Sequence, residues 1–140
     1  MINAFVAIPV AVPAGATVPF AGSRAKTRTG CRCNGGWLTH DDGSAQFLIS
    51  RPGIYMVSVG AQVTSATAGA VATLALTANG EALAGTTMAE TITAADDVAQ
   101  LATSALLTVP CGASITVAMT NTGADDITVN AASLVLTRVA

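Results

Sequence analysis

The sequence predicts an all-β protein, an antiparallel sandwich or jelly roll built from short strands. Three observations carry this expectation. Apolar residues alternate with polar or small ones along most of the chain, as they do in strands with one buried face. These runs are broken at short intervals by Pro52-Gly53, Asn79-Gly80, Asp96-Asp97, Pro110-Cys111-Gly112 and Gly123 to Asp126, all turn-forming combinations. Helix start and stop signals are almost absent, and the 19 threonines suit the solvated faces of sheets.

Taken in order, the apolar opening Met1 to Phe20 reads as an extended strand or arm, with Phe5, Ala7 and Pro9 on one face. It is part of, or docks on, a single domain spanning 21–140. Residues 21–44 are less regular. Phe47 and Ile49 share a face in Gln46 to Ser50. The clearest strand is Ile54 to Val63, with Tyr55, Val57, Val59, Ala61 and Val63 inward and Ser58, Gly60 and Gln62 outward. Val71 to Ala78 follows, with Leu74 and Leu76 inward, and stops at Asn79-Gly80, a two-residue hairpin signal. Thr86 to Thr93 is a third strand of this group, and Val98 to Val109 a fourth, facing inward at Leu101, Ala105, Leu107 and Val109. Ser114 to Asn121 presents Ile115, Val117 and Met119. Ile127 to Val139 changes its inward set between Val129 and Leu134, which predicts a bulge near Ala131-Ala132.

The composition narrows the function classes. Charged residues are 10% of the 140, against roughly 25% in an ordinary domain, while hydrophobic residues are 51% and 29 residues are alanine. So little charge and so much apolar content exclude a disordered tail. A net charge of −2 argues against specific nucleic-acid binding. No uninterrupted apolar stretch reaches the roughly 20 residues of a membrane span. The N-terminus lacks the basic residues of a signal peptide, its first positive side chain being Arg24, and Pro9 and Pro13 interrupt any helix. Cys31, Cys33 and Cys111 cannot all pair within one chain. They are either small buried thiols or one disulfide from Cys111 to Cys31 or Cys33, and a zinc site would need the single histidine as fourth ligand. The low charge itself suggests a surface covered by threonine and by other subunits.

Several segments together resemble one family. Phe47-Leu-Ile-Ser-Arg-Pro52-Gly53-Ile-Tyr55-Met-Val-Ser is similar to the F-x-x-x-x-P-G-x-Y-x-(V/F)-S core of the C1q/TNF-like jelly rolls. Leu74 to Gly80, Leu106 to Val117 and Ala132 to Leu136 resemble its later strands, in the same order, so the likeness covers about residues 35–138. The chain departs from the animal members in its few aromatics and in Ala113 after Gly112, where an acidic residue is usual. In this it looks like the small Ala/Thr/Val-rich versions of bacteria and their phages. The resemblance implies a ten-strand jelly roll with Phe47, Gly53 and Tyr55 as structural motif residues. It also implies a compact homotrimer that binds or decorates and does not catalyse.

Three groups of polar residues are candidates for contacts. Trp37, His40, Asp41 and Asp42 lie in one segment with the only tryptophan and the only histidine, which suits sugar stacking or a protein contact. No nucleophile motif accompanies the His-Asp pair. Arg24, Lys26, Arg28 and Arg32 place four of the six basic residues within nine positions. They read as a polyanion or assembly contact, or as a charged edge strand that blocks sheet-to-sheet pairing. The doublets Asp41-Asp42, Asp96-Asp97 and Asp125-Asp126 offer oxygens of the kind Ca²⁺ takes, yet none forms an Asp-x-Asp-x-Asp loop, so no cofactor is expected. The expectation is a non-enzymatic structural or adhesive homotrimer of an external assembly. A phage virion component (capsid decoration, head-fibre or tail protein), in contact with other virion proteins, is its foremost form. The alternative is a carbohydrate- or receptor-binding module on a bacterial or spore surface, with a glycan or host receptor as partner.

Overall fold

The computed structural model describes residues 1–26 and 36–140, and these form strands without helix. Twelve strands are present among them: β1 (Ile2–Val6), β2 (Val10–Val12), β3 (Gly22–Lys26), β4 (Leu38–Thr39), β5 (Phe47–Ile49), β6 (Gly53–Thr64), β7 (Val71–Ala78), β8 (Glu81–Ala82), β9 (Met88–Thr91), β10 (Ala99–Val109), β11 (Ile115–Asn121) and β12 (Ile127–Arg138). Two six-stranded antiparallel sheets result. One runs β10-β6-β12-β1-β3, with β2 also pairing β12; the other runs β4-β5-β11-β7-β8, with β9 also pairing β7. Neighbours in each sheet come from distant parts of the chain, β1 beside β12 and β5 beside β11, which is the crossed connectivity of a jelly roll.

Alternation explains the core. In β6 the side chains of Tyr55, Val57, Val59, Ala61 and Val63 are buried, and Leu134 and Leu136 of β12 join them. From the facing sheet come Phe47, Leu74, Leu76, Val117 and Met119. Each such aliphatic or aromatic side chain contributes roughly 1.5–3 kcal/mol on burial. Asn79 and Gly80 adopt φ of 50° and 85°, the left-handed pair that a tight hairpin between β7 and β8 requires. The register of β12 on β6 slips between Val129 and Ala131, next to the bulge position expected from the sequence.

Several expectations are corrected. The first strand ends at Val6, and its inward set is Ile2, Ala4 and Val6; Phe5 lies on the opposite face, half-buried. The strand expected over 86–93 is confined to β9 because Thr86 turns inward. Its hydroxyl accepts from Leu76 N and donates to Leu83 O at 2.8 Å, closing a loop where ladder pairing would have run. The short β2, β4 and β8 raise the strand number above ten.

Gly53 opens β6 at φ 149°, and a Cβ there would lie 2.5 Å from the Ala140 carbonyl oxygen and 2.7 Å from Arg138 Nε. Only glycine admits the returning C-terminal strand at this point. Asn121, fully buried at the end of β11, donates to Val12 O and Asp125 O and accepts from Gly123 N, so its amide ties three loops together.

Candidate functional site

The outer face of the β10-β6-β12-β1 part of the first sheet is the most unusual surface of the molecule. Strand alternation turns Ala102, Ser104, Leu106 and Thr108 of β10 outward, beside Ile54, Met56, Ser58, Gly60 and Gln62 of β6. Ser133, Val135 and Thr137 of β12 and Asn3 and Phe5 of β1 continue the face. None of these residues is charged. Leu106 is 69% exposed, Ile54 and Met56 each 38%. Solvated sheet faces ordinarily carry charges, and an uncharged face with large exposed apolar side chains is a candidate interaction surface.

The sheet's two edges differ. At one, β3 carries Arg24 and Lys26, both exposed. At the other, β10 pairs β6 over eleven consecutive residues without a register shift and carries no charge or proline. The first edge has the usual protection against pairing with another sheet; the second has none.

A groove of about 740 Å³ crosses this face between Phe5 of β1 and Gln100 and Ala102 of β10. Its floor is made by Gly60, Ala131 and Ser133. The Phe5 ring forms one wall, lying over Gly22, where a Cβ would meet its Cζ at 3.1 Å. The guanidinium of Arg24 sits 5.3 Å from the ring centroid, a cation–π distance.

The residues singled out from the sequence do not gather into one site. Lys26 Nζ donates to the His40 carbonyl at 2.7 Å and to Asp42 Oδ1 at 3.3 Å, so the basic strand is held partly by its own neighbours. Arg28 and Arg32, like Cys31 and Cys33, lie outside the described residues. Cys111 is exposed in the turn between β10 and β11. His40, expected among the contact residues, lies in the core and is 4% exposed. Its ring stacks on Phe47 at 4.2 Å with the edge of Phe20 nearby. Nε2 donates to Ser44 O at 3.0 Å and Nδ1 accepts from the Ser23 hydroxyl at 3.2 Å, so both ring nitrogens are satisfied and none is left for a ligand.

Trp37 is half-buried, 5.8 Å from the Tyr55 ring and with Arg51 6.0 Å above its own. It caps the core as much as it faces solvent. Its indole nitrogen is buried without a partner among the described residues. The acidic doublets act mainly on backbone: Asp126 Oδ1 accepts from Ala14 N and Asp125 Oδ2 from Val71 N, both at 2.9 Å, and Asp97 accepts from the Thr93 hydroxyl. Among the described residues no three metal-ligating side chains come together. The outer face went unread from the sequence, although its signal was present in the outward series Ser58, Gly60, Gln62 on a strand with an apolar inner face.

No known protein family's profile matches the chain, and no curated protein matches it. Among solved structures it is similar to the PRD1 vertex protein P5 at 14% identity, over 94% of each chain, with a TM-score of 0.38. A likeness at that TM-score does not establish a shared fold.

Proposed function

We propose that this protein is a non-enzymatic structural component that assembles as a homotrimer on an external surface, in the first instance a phage virion. The uncharged outer face of β10, β6, β12 and β1 carries the reading. A face exposing Leu106, Met56 and Ile54 beside Ala, Ser, Thr and Gly has the composition of a permanent subunit interface, which is depleted of charge at its centre. The likeness to C1q/TNF-like jelly rolls at Phe47, Gly53 and Tyr55 supports the same arrangement, since that family forms compact homotrimers.

A carbohydrate- or receptor-binding module would rely on Trp37, His40, Asp41 and Asp42, and the burial of His40 removes one member of that set. The assembly reading is tested by antibody labelling of purified particles from the source of the sequence, viewed by electron microscopy. Label at regular positions on the particle exterior is the expected result. Particles without label, with the chain recovered only as free protein, contradict it.

A further inference from the structure

Gly60 stands in the middle of a twelve-residue strand, paired on both sides, where the fold gives no reason for glycine. Its partners Ala102 on β10 and Ser133 on β12 are in regular register, and the bulge of β12 falls beyond it, at Val129/Ala131. Its φ is not in the left-handed region, and a Cβ built on it meets nothing within 4 Å. Glycine at such a position weakens a strand through the unfolded chain's entropy. Where neither a bulge nor a bend requires it, an interior glycine marks the close approach of something from outside.

We infer that Gly60 is the floor of a socket, bounded by Phe5, Arg24, Gln100, Ala102, Ala131 and Ser133, that receives the apolar ridge Leu106–Met56–Ile54 of a second copy of this chain. This rests on the proposed self-assembly and names the contact that would specify it. The occupant is argued from the face itself. Leu106 and Met56 are directly opposed across β10 and β6, with Ile54 one step along, and they form the largest exposed apolar projection of this sheet. Ridge and socket lie on the same face; its β10, β6, β12 and β1 residues carry no charge, and Arg24 of β3 stands at the socket beside Phe5. They are also separated: Leu106 and Ala102 are four residues apart on β10, about 13 Å. A projection and a recess at different places on one surface allow one copy to engage the next, and such contacts close into a ring when the rotation between copies returns to the first. A free apolar small molecule fits less well, because it would leave the ridge itself uncovered.

The test is sedimentation velocity over a dilution series for the wild-type chain, Gly60→Val, Gly60→Ser and Leu106→Ala, with Thr116→Val on the other sheet as control. Gly60→Val is expected to move the midpoint of dissociation to at least tenfold higher concentration, Gly60→Ser to move it less, and Leu106→Ala to move it at least tenfold. Thr116→Val should leave it unchanged. Below the midpoint, the Gly60→Val monomer should keep its β-sheet circular dichroism and melt no lower than the wild-type monomer, since valine favours a strand. An oligomer indifferent to Gly60→Val or to Leu106→Ala overturns the socket while leaving self-assembly standing. A Gly60→Val chain that no longer folds contradicts the open space above Gly60. A wild-type chain that is monomeric throughout the series overturns the proposed function itself.

Discussion

Replacing Tyr55 by alanine is expected to lower the free energy of unfolding by about 3–5 kcal/mol, the range for deleting a buried aromatic side chain. Tyr55 is fully buried at the start of β6, where it contacts Trp37 through its ring and donates its hydroxyl to Arg51 O at 2.9 Å. Removing it opens a cavity under Trp37 and leaves a carbonyl without its donor. Tyr55→Phe separates the two terms: the ring remains, the hydrogen bond is lost, and the cost falls to about 1 kcal/mol. Urea unfolding of the three chains reads both numbers, and a loss below 1 kcal/mol for Tyr55→Ala contradicts the placement of this ring in the core. Burial also pushes the Tyr55 phenol above its ordinary value of 10.0, against the opposing pull of Arg138 and Arg51. As pH rises past about 10 the unfolded chain therefore loses this proton before the folded one. The wild-type chain should lose stability there, and Tyr55→Phe should lose less.

Ser58→Asp is expected to convert the oligomer to a monomer that still folds. Ser58 lies at the middle of the uncharged face, opposite Ser104 on β10 and beside Val135 on β12. It faces solvent within one chain, so a carboxylate there is hydrated in the monomer and costs the fold little. Between copies the same carboxylate would be buried without a partner from β10, β6, β12 or β1, whose outward residues carry no charge; an uncompensated buried charge costs about 3–5 kcal/mol. A charge accepted at Ser58 without dissociation, read by light scattering, shows that the face is not the interface.

The elements most legible in the sequence were those with one polar face. The inward set Tyr55 to Val63 and the Asn79-Gly80 turn stand in the structure where the alternation put them. β1 was misjudged because both of its faces are apolar: Ile2, Ala4 and Val6 compete with Phe5, and the larger ring suggested the wrong side. The candidate interface was hidden for a different reason: most of its outward residues on β6 and β10 are small or polar, and alternation alone does not tell an uncharged face from an ordinary solvated one. The burial of His40 leaves no local mark either. Its neighbours in sequence, Thr39 and Asp41, are polar, and the rings that enclose it, Phe20 and Phe47, are supplied from elsewhere in the chain. The pairing of β1 with β12, which closes the sandwich across nearly the whole chain, leaves no local mark at all.

Composition carries the earliest argument for the proposed assembly. The charges of the described residues sit on β3 and β9, on the turns and at strand ends, and the outward residues at the centre of one sheet have none. A monomer has no physical need for such a face. The molar mass in solution by size-exclusion chromatography with light scattering, followed over a hundredfold dilution, tests this most directly. Three times the 13.8 kDa chain mass, unchanged on dilution, is the result expected; a soluble, stably folded species of one chain mass contradicts it.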